Sequence, residues 1–210
     1  MVDKVLITTA LEETWAKDNE ESIFLGEWCL KYNKRKKWES LTYQKVDYHW
    51  NDRAKLYSDY KFLLEFYEKT LTDITNDLNK YHNEEHSKEY WRIIIGPWLG
   101  WFIQMIFDRW SMIEKAYSQN NDINVRLIKR NLEEFIPNDM DEFTKMISED
   151  KWNEFIYGEI IGLMGIDFSL IDSEDSINTT SKTLLSLRVI ISKLKRFVLK
   201  ILNRIFSFFS

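Results

Sequence analysis

The sequence predicts a helix-rich α/β domain with a small parallel sheet, followed by a basic amphipathic helix. Three observations lead there. Short apolar runs recur in the first fifty residues, each ending in small or polar residues, which is the pattern of buried parallel strands. After Trp50 the apolar spacing changes to three and four, the period of helices. The charge is also divided. Ile177–Ser210 carries seven of the 29 Lys/Arg and no acid, leaving 22 bases against 34 acids, a net of -12, in Met1–Ser176.

The elements follow in order. "KVLITT" (Lys4–Thr9), "SIFLG" (Ser22–Gly26) and "YQKVDYHW" (Tyr43–Trp50) read as three parallel strands. Leu56, Tyr60, Leu63, Leu64, Tyr67, Leu71, Ile74 and Leu78 lie on one helical stripe, with Asn51 or Asp52 as its cap. Gly96-Pro97 is expected to interrupt the next apolar stretch, because proline lacks the helical N–H and restricts the residue before it. A new helix from Pro97 to about Tyr117 should be the most buried in the chain, being apolar on nearly every face. "NDINVRLIKRNLEEFI" reads as a short strand or helix, and "MDEFTKMIS" and "KWNEFIYGEIIGLMG" as helices.

The expected organisation is a lobe over 1–168, a polar linker over 169–182 and a basic amphipathic helix over 183–210. Leu184, Leu187, Ile191, Leu194, Val198, Ile201, Ile205 and Phe208 form the apolar face of that helix. Its basic face suits an anionic membrane surface; a missing domain or partner chain is the other occupant it suits. Nucleic acid is not expected, because the body is acidic. The N-terminus has no signal-peptide pattern and no stretch reads as a spanning helix. The expected location is therefore the cytoplasm, peripheral on the inner face of the membrane. One cysteine, Cys29, excludes an internal disulfide and reads as a small buried hydrophobe.

Several constellations carry chemistry. His82, Glu85 and His86 spell H-x-x-E-H, an inverted zinc-protease pattern. The surrounding "LNKYHNEEHSKEYW" is polar, whereas a catalytic zinc helix is embedded in apolar sequence. The motif reads as a helix–helix connection, and no metal or cofactor is expected. "TTALEETW" places Thr8, Thr9, Glu12 and Glu13 after the first strand, where open α/β sheets hold ligands. The hydroxyls can donate to a substrate and the acids can accept a proton; equally, Thr9 and Glu12 resemble a capping box. "FLGEWC" puts Glu27 after the second strand and "DYHW" puts His49 after the third. If the strands are adjacent and parallel, these groups share one edge, with Glu13 or His49 as the candidate base. Asp108 and Arg109 interrupt an apolar helix and read as structural pairing. There is no glycine-rich phosphate loop.

"LITTALEETW", "FLGEWC", "YHWNDRAKLYSDY", "HSKEYWRIIIGPWLG" and "FDRW" together resemble a family of transferases associated with O-antigen and other bacterial surface-polysaccharide gene clusters. The resemblance, carried by most of Met1–Tyr117, implies a Rossmann-like lobe of a glycosyltransferase-B-like architecture. It implies a nucleotide-sugar donor and a glycan acceptor. Thr8, Thr9, Glu12, Glu27 and His86 would then bind substrate, and Glu13 and His49 would be catalytic. Family members are longer, so the resemblance implies an N-terminal, acceptor-side lobe that needs a C-terminal lobe or partner chain for catalysis. The alternative is a non-enzymatic, membrane-peripheral interaction module held by the basic helix.

Overall fold

A computed structural model describes residues 3–172, apart from 18 and 121. The expected basic helix and most of the expected linker lie outside the described residues. The described chain forms two compact units. One holds the residues up to His49 together with those from Arg109 onward; the other is Trp50–Asp108.

The first unit is built on five parallel strands: β1 (Asp3–Ile7), β2 (Glu20–Phe24), β3 (Tyr43–Lys45), β4 (Ile123–Ile128) and β5 (Ser169–Ile171). Their order is β3-β2-β1-β4-β5, that of a Rossmann-like lobe. All four pairings are parallel. β1 is central, and its Val5, Leu6 and Ile7 are at most 1% exposed. Continuous burial of consecutive residues means that both faces of the strand are covered. Each such side chain contributes about 1.5–3 kcal/mol on burial. β3 lies at one edge with all three residues exposed. It is shorter than the expected run to Trp50: Val46 donates once more to Phe24, at 2.9 Å, and the chain then leaves the ladder. β5 lies inside what the sequence reads as the start of the linker. Its Lys129–Ile171 bond of 2.9 Å extends the pairing on β4.

Helix α1 (Arg35–Trp38) lies between β2 and β3, and α4 (Met140–Met146) and α5 (Asp150–Leu163) follow β4. α5 packs on β4, where Gly158 brings the helix close: a Cβ there would meet Leu127 at 3.3 Å. Trp152, Ile160 and Ile161 are its buried face. Arg109 donates to Asn153 of α5 at 3.0 Å and lies over the Tyr157 ring. It is thus held by an amide and an aromatic face.

The second unit is a helical hairpin. α2 (Arg53–His82) starts at Asp52, whose Oδ1 accepts from the N–H groups of Ala54 and Lys55 at 2.9 and 3.2 Å. It ends at Asn83 in the left-handed region, φ 56°. The buried stripe is Leu63, Phe66, Thr70, Leu71, Ile74 and Thr75. Tyr60 and Leu64, expected on that stripe, are about half exposed.

α3 (Lys88–Gln119) begins in this unit and runs unbroken through Pro97, so the expected interruption does not occur. Two local features permit this. Gly96 has no Cβ to clash with the proline ring. The carbonyl that loses its partner belongs to Ile93, which is 79% exposed, so water can take it. Gly96 also lets the helices approach, since a Cβ there would sit 2.6 Å from the Tyr67 hydroxyl. Within the expected Pro97–Tyr117 stretch, Leu99, Phe102, Ile103, Ile106, Phe107, Trp110, Met112, Ile113 and Ala116 are buried and Trp101 is 55% exposed; the earlier turns of α3 expose Ile93 and Ile94. Arg92 and Lys88 on α3 grip Glu68 on α2 at 2.5 and 3.1 Å. Those hydrogen bonds hold the Glu68 carboxyl down to about 2.

Where β2 ends, Gly26 is under the indole of Trp28. A Cβ at Gly26 would fall 2.2 Å from that ring, and Trp28 Nε1 donates to the Thr8 carbonyl at 2.9 Å. Gly26→Ala should therefore expel the indole and break its tie to β1. We expect a loss of about 1–3 kcal/mol in urea unfolding and a red-shifted tryptophan emission; unchanged stability and emission would contradict the packing. Cys29 is fully buried and its Sγ–H donates to the Ile7 carbonyl at 3.4 Å. Burial pushes its thiol up to about 12. The native thiol should stay unmodified by a thiol-specific disulfide reagent at pH 8 and react once the chain is unfolded; fast native labelling would refute this placement.

Candidate functional site

The carboxyl ends of β1, β2 and β3 lie side by side, because the strands are adjacent and parallel. The residues that follow them share one edge of the sheet. After β1, Thr8 and Thr9 are buried at 2% and 0% exposure. Their carbonyls accept from Trp28 Nε1 and from Trp15 Nε1, at 2.9 and 3.3 Å. Thr9 Oγ1 accepts from the Leu11 N–H at 3.4 Å. The capping box with Glu12 does not form, for the turn at Glu12–Thr14 starts at Leu11 and has no side-chain cap.

That Glu12–Thr14 turn packs against β4. β1 and β4 are neighbours in the sheet, while the chain leaves β1 toward β2 on its other side. This is the topological switch point, the place where open α/β sheets form a crevice. The turn presents its two acids differently. Glu12 is gripped by Lys37 and lies 3.6 Å from Lys34. Those contacts, chiefly the hydrogen bond to Lys37, hold its carboxyl below the usual range. Glu13 is exposed. It also adds negative potential at Glu154 of α5.

Glu154 is 1% exposed, accepts from the Ile128 N–H at 2.7 Å and pairs with Arg130 at 3.2 Å. Burial raises its carboxyl pKa, and the Ile128 and Arg130 contacts oppose that shift. The chain after β4 thus carries a buried acid–guanidinium pair that sequence reading missed. The signal, a charged residue on the apolar α5, is present in the letters.

Glu27 follows β2, is 84% exposed in its side chain and pairs with Lys45 at 2.7 Å. That hydrogen bond lowers its pKa. His49 follows β3 and is 3% exposed. Its main-chain N–H donates to Met112 Sδ at 3.4 Å, and its ring meets Tyr48 edge-on. Tyr48 in turn meets Trp28 edge-on at 6.5 Å. The ends of β1, β2 and β3 are therefore laced together through Thr8, Trp28, Tyr48 and His49.

His86 belongs to the helical unit. Asn79 clamps its main chain, donating to its carbonyl at 2.8 Å and accepting from its N–H at 3.1 Å. The His86 ring stacks on Tyr90 at 3.9 Å. The H-x-x-E-H string spans a helix end, with His82 closing α2 and Glu85 and His86 in the connection to α3. Among the described residues no three His, Cys, Asp or Glu are grouped to hold a metal ion. No helix among them is long and apolar enough to cross a membrane.

The feature most clearly missed in sequence is "KYNKRKK", Lys31–Lys37, which puts five cations within seven positions just after β2. The run is visible in the letters. Its convergence on Glu12 is a tertiary contact and is not. Lys34 Nζ donates to the Ala10 carbonyl at 2.6 Å, so it is aimed at the end of β1.

No curated protein and no solved structure matches the chain. The family model described as LIC12162 family transferase matches residues 4–210, and the chain belongs to that family.

Proposed function

We propose that this transferase passes a sugar or related group from a nucleotide-activated donor to a glycan acceptor, in the assembly of bacterial surface polysaccharide such as O-antigen. The observation that carries this is the exposed Glu13 at the β1/β4 switch point. There a carboxylate can take the proton of an acceptor hydroxyl as its oxygen attacks the donor carbon. The bond from that carbon to the nucleoside diphosphate breaks, and the diphosphate leaves with the electron pair. We assign the base to Glu13 rather than His49, because Glu13 meets solvent and His49 is 3% exposed. His49 then supports the edge through Tyr48 and Trp28.

Thr8, Thr9, Glu12 and Glu27 line the same edge as proposed substrate contacts, with the two threonines needing their small buried hydroxyls turned to the ligand. The stacking of His86 on Tyr90 makes it a proposed acceptor contact only. The family resemblance supports a two-lobed architecture, in which a second lobe or partner chain completes the donor site. Peripheral attachment to anionic lipid through 183–210 is proposed on the sequence pattern of that segment.

The test is a screen of nucleotide-sugar donors against the intact chain, with any partner lobe supplied, read by release of free nucleotide. Glu13→Gln should lower turnover by about 10²–10⁴-fold with the fold intact, while His49→Ala should act mainly through stability, costing about 1–3 kcal/mol. Turnover by Glu13→Gln equal to that of the parent protein would overturn the assignment.

A further inference from the structure

We propose that the basic depression after β2 is a binding site for a diphosphate group, with Glu12 as its built-in competitor. It deepens the transferase reading and rests on it for taking this sheet edge as the substrate edge. The depression has a volume of about 710 Å³ and is lined by Glu12, Lys34, Arg35, Lys36, Lys37 and Glu39. Four cations face two acids there, a local excess of two positive charges on a body whose net charge is -12. Segregation of that kind focuses anions on the basic patch.

The cations are also arranged. Lys34 and Lys37 converge on one carboxylate, that of Glu12. Two ammonium groups facing a single anionic group from separate positions suit the paired oxygens of a diphosphate better than they suit one carboxylate. Lys34 is tethered to the Ala10 carbonyl at 2.6 Å, so its head group is held where β1 ends. Arg35 is balanced by Glu39 at 2.6 Å. A diphosphate entering the depression displaces the Glu12 carboxylate from Lys37 and Lys34. Glu12 therefore weakens binding and speeds release.

Two sources share this chemistry: a soluble nucleoside diphosphate and an acceptor carrying a diphosphate. Tyr32, 82% exposed on the wall of the depression, is placed to stack on a base.

The experiment is calorimetric titration of the intact protein with inorganic pyrophosphate at about 20 mM salt, where screening is weak. Lys34→Gln/Lys37→Gln should weaken binding by about tenfold or more, and Glu12→Gln should tighten it by about two- to fivefold. Lys145→Gln/Lys151→Gln, an equal loss of two charges on α4 and α5, should change it by less than about twofold. No binding by the parent protein, or equal losses in the Lys145/Lys151 and the Lys34/Lys37 variants, would overturn the proposal. If the Lys34/Lys37 variant fails to fold by circular dichroism, Glu12→Gln decides: no gain in affinity refutes it.

Uridine diphosphate and an alkyl diphosphate then separate the sources. A gain for the nucleotide that Tyr32→Ala abolishes assigns the soluble donor or product, and a gain for the alkyl compound assigns the acceptor. Pyrophosphate binding without turnover in the donor screen would sink only the transferase chemistry, and turnover without pyrophosphate binding would sink only this inference.

Discussion

The parallel pairing of β1 between β2 and β4 is the constraint on which the rest of the first unit depends. Parallel neighbours send all their carboxyl ends to one edge, so whatever follows them must meet there. β1 can occupy the centre because Val5, Leu6 and Ile7 are apolar on both faces and lose almost all contact with water. A polar residue at any of these positions would leave an unsatisfied group in the sheet. The polar residues start at Thr8, one residue past the last strand residue. Their backbone carbonyls are then free to accept from the two indoles, Trp28 and Trp15.

The edge so formed is asymmetric. On the β2 and β3 side Trp28, Tyr48 and His49 pack edge-on against one another, with Glu27 exposed beside them. On the β4 side lies the Glu12–Thr14 turn, with one acid held by lysines and the other in solvent. Catalysis by proton removal needs an accessible carboxylate, and anion binding needs cations that a ligand can win from their present partner. The two requirements fall on adjacent residues, Glu13 and Glu12. A single short turn thereby couples the place where charge would be bound to the place where a proton would be taken.

Much of this was readable from the letters, for reasons particular to each element. β1 and β2 announce themselves as apolar runs without helical period, and α2 as a long stripe with Asp52 before it. β4 was readable only as an element of unsettled type, since "INVRLI" is too short for period alone to separate strand from helix. β5 was hidden because its three residues sit at the head of a polar stretch and take their structure from pairing with β4. Pro97 misled because the rule for proline assumes a Cβ on the residue before it, and Gly96 has none. The apolar run from Pro97 onward points to burial, and most of it is buried; Trp101 stays in solvent because apolarity alone does not say whether a neighbour exists to cover it. In the site, the types of residue after each strand were legible. Their states were not: that His49 is buried and that Glu12 is held by Lys37 are properties of contacts between segments far apart in sequence.

The central claim is that substrate meets the carboxyl edge of the sheet at the β1/β4 switch point. Backbone amide chemical shifts, followed while the isotope-labelled protein is titrated with a nucleotide sugar, test it most directly. The account predicts the largest changes in Thr8–Glu13 and in Gly26–Lys37. Changes confined to the opposite strand ends, at Asp3 and Glu20, or to the α2 and α3 hairpin, would contradict it.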